Sequence, residues 1–297
     1  MNRSVRCVLV FAVCFLCLST SAAEPTVGPI PAQIRSEFKL ADFYTKGIIA
    51  DGFPIVASAK VNDFALKEAA YLVNHMLTGR NDLRQALIRN KVRFSVMGCD
   101  QWTCDVPEHS DLTPASYWNR RARGLGATTS RPSVSCGEEN LLGFPGDPYQ
   151  GESILIHEFG HAIQEMGVNY VDKTFELRLK KMYDAALHKG LWKDTYAATN
   201  PHEYWAEGVQ IWFHCNWTNR QDHNHIGTRK ELQEYDLGLS ALLREVFGDR
   251  EWVYEAPAKR KQLAHLAGYD LKSAKKFEWP AELKTPVPRD LPRSPGK

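Results

Sequence analysis

The chain carries His157-Glu158-Phe159-Gly160-His161 and, about forty residues later, a second stretch from Tyr196 to Glu207 with carboxylates at Glu203 and Glu207. Two histidines four residues apart stand one above the other on a helix face, where their imidazoles can grip one zinc ion. A catalytic zinc needs a third protein ligand and an open fourth position. The later stretch offers the carboxylate, provided that its own helix packs against the first. Glu158, between the histidines, is placed to act on a water at the metal. The pair predicts a zinc hydrolase site and requires a fold that brings two distant helices together.

Residues flanking these motifs support helices in both places. From Glu152 to Glu165, the apolar Ile154, Leu155, Phe159, Ala162, Ile163 and Met166 face a core, and Gly167 is the expected stop. Gly160 inside this helix costs about 1 kcal/mol relative to alanine, which predicts a close backbone contact there. Asn200 reads as an N-cap with Pro201 at the first helical position, opening a helix to about His214. Glu203, Glu207, Gln210 and His214 share one stripe of it, and aromatic and aliphatic residues cover most of the remainder. Spacing alone leaves Glu203 and Glu207 as competing zinc ligands, the other accepting the free N–H of a ligand histidine.

Elsewhere, Phe53 to Ser58 reads as a strand, Asn62 to Leu77 and Asp82 to Asn90 as helices, and Lys91 to Met97 as an alternating strand. Val92, Phe94 and Val96 share one face of that strand, with Arg93 and Ser95 on the other. Residues 98–149, rich in Gly, Pro, Ser and Asp, read as loop with short strands. Phe175 to Lys189 is an amphipathic helix ended by Gly190, and a last helix spans roughly Lys230 to Phe247. The fold class is α+β, with a small twisted N-terminal sheet and backing helix, the metal helix, and a mainly helical C-terminal part.

Arg3 and Arg6, a short apolar run from Cys7 to Leu18 and Ser21-Ala22-Ala23 read as a secretory signal peptide over residues 1–23. Its removal takes two of 37 basic residues and none of 35 acidic ones, leaving 35 of each, a balance that gives no reason to expect a nucleic-acid partner. No later run is apolar enough to span a membrane. Residues 24–52 read as an N-terminal extension, 53–275 as the catalytic domain and 276–297 as a Pro-rich tail. Cys99, Cys104, Cys136 and Cys215 remain, an even count that predicts two disulfides in an oxidising compartment; the preferred pairing is Cys99–Cys104 and Cys136–Cys215. Asn216-Trp217-Thr218 is a glycosylation sequon. His223 and His225 are a lesser candidate for a second metal site, and Lys259-Arg260-Lys261 reads as a solvated basic face.

The two motifs together, His157-Glu158-x-x-His161 followed by Tyr196-x-x-Thr199-Asn200-x-x-Glu203-x-x-x-Glu207, resemble the gluzincin metallopeptidases of the anthrax lethal factor type. The resemblance covers about residues 152–213 and implies a zincin-like fold. It assigns Glu203 as third zinc ligand, Tyr196 as an auxiliary acid facing the substrate carbonyl, and Glu207 as the carboxylate behind a ligand histidine. Pro201-His202 and the four cysteines depart from the pattern, and no receptor-binding or cell-entry part is visible.

The expected activity is that of a secreted, extracellular zinc-dependent endopeptidase, monomeric, with one Zn²⁺ and a peptide or protein substrate. Two alternatives stand beside it: an exopeptidase or amidase, and a silent interaction module whose zinc only holds the fold. Glu158 and Tyr196, which a purely structural zinc site does not need, argue against the last.

Overall fold

A computed structural model describes residues 26–260 and 264–286. The signal peptide over 1–23 and the end of the Pro-rich tail lie outside the described residues.

A five-stranded sheet comprises β1 (Lys46–Ala50), β2 (Phe53–Ala57), β3 (Arg93–Met97), β4 (Gly124–Leu125) and β5 (Ser133–Gly137), in the order β1-β2-β3-β5-β4. The central pairs β2–β3 and β3–β5 are parallel, and the edges β1 and β4 are antiparallel. Parallel neighbours need crossovers. Here α2 (Asp63–Met76) and α3 (Asn81–Arg89) join β2 to β3. Asn62 Oδ1 accepts the Phe64 N–H at 3.0 Å to cap α2, whose Leu66, Ala69, Val73 and Met76 are buried.

All residues of β3 are buried, although Arg93 and Ser95 alternate with apolar neighbours. The reason is a second layer behind the sheet. Residues 24–52, read from sequence as an extension, supply α1 (Ala32–Glu37), β1 and a cluster of Ile30, Phe38, Leu40 and Tyr44 packed with Val56. The Tyr44 hydroxyl lies 2.8 Å from Ser95 Oγ, which meets Ser133 Oγ at 2.7 Å, and Arg93 pairs with Glu108 at 2.6 Å. The polar face is thus satisfied by internal partners rather than by water.

The front face packs on the helical part. α4 (Ala115–Arg121) precedes β4, and α5 (Glu138–Leu142) follows β5. α6 (Ile154–Ala162) does not stop at Gly167: it continues through a π-helical stretch, Ile163–Val168, into α7 (Asn169–Val171). At Gly167 an added Cβ would make ordinary van der Waals contact with Leu87 at 3.7 Å, and the helix runs on through this glycine instead of ending at it. α8 (Phe175–His188) is followed by Gly190 at φ +76°, a left-handed position suited to glycine.

α9 (Pro201–Trp212) is capped by Asn200, whose Oδ1 accepts the Glu203 N–H at 2.9 Å. The last predicted helix divides into α10 (Arg229–Tyr235) and α11 (Leu237–Phe247) at buried Asp236. That carboxylate accepts from Trp192 Nε1 at 2.8 Å, the Tyr204 hydroxyl at 2.6 Å and the Leu239 N–H at 3.1 Å.

Two local readings change. Arg260 is not on a solvated face: its guanidinium pairs at 2.6 Å with buried Glu68, which also meets His265 at 2.7 Å. Cys99, Cys104, Cys136 and Cys215 are all free thiols. Cys104 packs with the satellite cluster of Leu112, Tyr117 and Trp118, away from the main core that contains Cys99, while Cys136 and Cys215 are buried in that core as small apolar groups. Burial raises the thiol pKa at each of the four positions, which works against thiolate chemistry.

Candidate metal centre

α6 and α9 pack against each other through the glycine in the middle of the first motif. A Cβ at Gly160 would lie 3.2 Å from Val209 Cβ, and Trp205 Nε1 donates to the Gly160 carbonyl at 2.9 Å. This close approach carries the histidines of one helix to the glutamate of the other. His157 Nε2 lies 3.2 Å from Glu203 Oε2 and 3.2 Å from His161 Nε2, and His161 Nε2 lies 3.4 Å from Glu203 Oε2.

Ligand atoms about 2.0 to 2.1 Å from a tetrahedral zinc are about 3.3 to 3.4 Å apart, so the three separations fit one such ion. Among the described residues, this is the group of three or more His, Cys, Asp or Glu side chains whose donor atoms all fall within 4.8 Å. Three carboxylates near His157 favour positive charge on its ring. Burial alone would depress His157, but the Glu203 hydrogen bond and the charges of Glu158, Glu203 and Glu207 outweigh it and push the imidazole up to about 10. Burial would raise Glu203, yet the two histidines hold it well below the usual carboxylate range. Glu158 is raised, chiefly by burial.

His157 faces away from the ligand cluster through Nδ1, which meets Gln210 Oε1 at 2.8 Å, while Glu207 Oε1 stands at 3.6 Å. Gln210 therefore holds the ring with Nε2 directed at the ligand position. Glu207 stands one layer behind: its Oε2 accepts from Asn216 Nδ2 at 2.8 Å and lies 3.2 Å from His223 Nε2. Asn216 is consequently turned inward onto Glu207, which removes its amide nitrogen from the outward position that a glycan needs.

His223 and His225 do not converge on one ion. His223 sits among Glu207, Glu152 at 3.4 Å and Asp222 at 3.3 Å, whereas His225 packs its ring 6.0 Å from that of Tyr235. Burial followed by the charge of Glu207 pushes Glu152 up to about 8. Burial opposes the proton on His223, but the Asp222 hydrogen bond and Glu207 raise that imidazole to about 10.

A cleft of about 390 Å³ reaches the cluster at His157 and is lined also by the end of α4, by β4 and by residues of the segment from Trp217 to His223. His157, Glu158 and Tyr196 all line it. The Tyr196 ring centroid is 6.3 Å from that of His157, and its hydroxyl accepts a hydrogen bond from Arg121 Nη2 at 3.2 Å. Gly124 and Gly126 let the edge strand approach α6: a Cβ on the former would meet Glu158 Cγ at 3.0 Å, and on the latter His161 Cβ at 2.8 Å. Arg121 and Glu152 carry no signal in sequence that marks them as site residues, whereas His223, a candidate ligand of a second metal, lies instead beside Glu152 and Glu207. Gln210 did carry a signal, falling on the same helical stripe as Glu203 and Glu207.

No protein-family model matches the chain, and no curated protein matches it. Among solved structures, the Pro-Pro endopeptidase PPEP-2 from Paenibacillus alvei is 16% identical, with the match covering 67% of this chain and 99% of that one at a TM-score of 0.38. A likeness of that degree assigns neither fold nor activity.

Proposed function

We propose that the protein is a secreted zinc-dependent endopeptidase with His157, His161 and Glu203 as metal ligands. The observation that carries this reading is the triangle of donor atoms at 3.2, 3.2 and 3.4 Å, with His157 on the wall of a cleft that Glu158 and Tyr196 also line. Zinc bound there supplies Lewis acidity, lowering the pKa of water toward about 7 and polarising a carbonyl. Glu158 takes the proton of the attacking water on its carboxylate and returns it to the departing amide nitrogen. The Tyr196 hydroxyl donates to the oxygen that gains negative charge as the carbonyl becomes tetrahedral. Gln210, through Nδ1 of His157, keeps that ring's other nitrogen on the metal side.

The test is digestion of a random peptide library by the purified mature protein loaded with Zn²⁺, read by mass spectrometry, beside Glu158→Gln and Glu203→Ala. The parent should cleave within peptides and lose activity to a chelator. Glu158→Gln should hold about one zinc per chain without cleaving, and Glu203→Ala should lose most of its zinc. A Glu158→Gln protein that still hydrolyses peptides would remove the general-base role, and cleavage confined to terminal residues would replace the endopeptidase reading with the exopeptidase one.

A further inference from the structure

At the end of α4, two adjacent arginines line the catalytic cleft with no carboxylate within 4.0 Å among the described residues. Elsewhere in the described residues, Arg80, Arg93, Arg123, Arg131, Arg178 and Arg260 each meet a carboxylate at 2.6 to 2.8 Å. Arg120 and Arg121 make no ion pair within 4.0 Å among the described residues, and both line the cleft. Arg120 is held by its guanidinium, whose carbon lies 4.4 Å over the Trp279 ring, while its buried Nε has no hydrogen-bond partner among the described residues. Arg121 is half-buried, spends one donor on the Tyr196 hydroxyl and is fixed at its backbone by the Tyr149 hydroxyl at 3.3 Å.

A guanidinium presents five donors in a planar fork matched to a carboxylate, and the partial burial of this one strengthens such a pair. The next arginine in the chain, Arg123, is neutralised by Glu139 and adds no competing demand. We propose that Arg121, assisted by Arg120, forms a subsite for a substrate carboxylate next to the scissile bond. The inference rests on the peptidase reading and names the substrate class of that same site. Because Arg121 Nη2 already touches the hydroxyl assigned to the reacting carbonyl, the carboxylate it takes belongs to a residue immediately flanking the cleaved bond. Its source is either an acidic side chain or the free carboxyl end of a short peptide.

The experiment takes the best-cleaved neutral peptide from the library and places Glu, Gln or Lys singly at the two positions on each side of the bond. Matched peptides ending just beyond it are made with a free carboxylate or an amide. In the zinc-loaded parent, one carboxylate form should exceed its neutral counterpart in kcat/KM by about 10- to 100-fold, the usual range for a charge-assisted hydrogen bond. In Arg121→Gln that ratio should fall to about two or less, and Arg121→Glu should favour Lys at the same position.

Any weaker action of Tyr196 in these variants affects both members of a pair and cancels in the ratio. Preference for an internal Glu identifies a side chain, and preference only for the free end identifies the terminus. Fluorescence binding of the same pairs to Glu158→Gln provides a readout without turnover. Failure of every peptide to be cleaved sinks the peptidase reading, whereas cleavage or binding without a carboxylate preference, or with one that Arg121→Gln leaves intact, sinks the subsite alone.

Discussion

Replacing Gln210 with Met isolates the contact that orients the metal helix pair. Methionine keeps the length and most of the volume of the side chain, but it removes the acceptor 2.8 Å from His157 Nδ1. The imidazole then loses the partner that fixes its tautomer and ring angle, an effect worth about 10- to 100-fold in metal affinity, or about 1.4 to 2.7 kcal/mol. Loss of the two long contacts from Gln210 Nε2, at 3.4 Å to the Ser153 carbonyl and 3.5 Å to that of Cys215, adds little because both are at the limit of a hydrogen bond. Zinc affinity is measured at 25 °C by competition with a chromophoric chelator, after circular dichroism has shown each variant to be folded. Gln210→Glu restores an acceptor at the same place and should bind zinc at least as tightly as the parent. A Gln210→Met protein with parental affinity would show that Glu207, despite its 3.6 Å separation, orients the ring. Equal losses in Met and Glu variants would assign the effect to packing instead.

Tyr196→Phe should leave zinc content unchanged and lower kcat by about 10² to 10³, since one donor to the developing oxyanion is lost; turnover at the parental rate would make Tyr196 a packing residue. Gly160→Ala should destabilise the fold by up to about 2 kcal/mol in chemical denaturation, because crowding of Val209 outweighs the helical preference of alanine. Adding Val209→Ala should recover part of the loss, and strict additivity of the two changes would refute the contact. Burial first, then the charge of Arg131, favours the neutral form of His109 against the opposing charge of Glu108 and lowers its pKa to about 4. Between about 4 and its ordinary 6.5 the unfolded chain binds more protons, so this contribution is full above 6.5, falls as pH drops through the window and totals on the order of 3 kcal/mol. Denaturation midpoints of His109→Phe across pH 4 to 7 should lack that component, and an unchanged acid slope would contradict it.

Local chemistry made much of this chain readable. Asn200 followed by Pro201 marks the start of α9 because a cap and a fixed φ act within one turn, and the four-residue spacing of His157 and His161 places both rings on one helix face. The glycine at 160 announced a close neighbour without naming it; Val209 becomes that neighbour only when α6 and α9 cross. Tertiary packing decided the features that depend on what covers a face. The polar side of β3 is buried because the segment before β1 folds back over it, and Arg260 leaves solvent because Glu68, far away in sequence, needs a cation. The same reason separates Gln210 from Glu207. Both share the stripe with Glu203, and periodicity gives each a face but no distance, so only the crossing angle of two helices sets 2.8 Å to one and 3.6 Å to the other. Cysteine parity likewise counts thiols without measuring the separation of their backbones, and the fold distributes them between the main core and a satellite cluster.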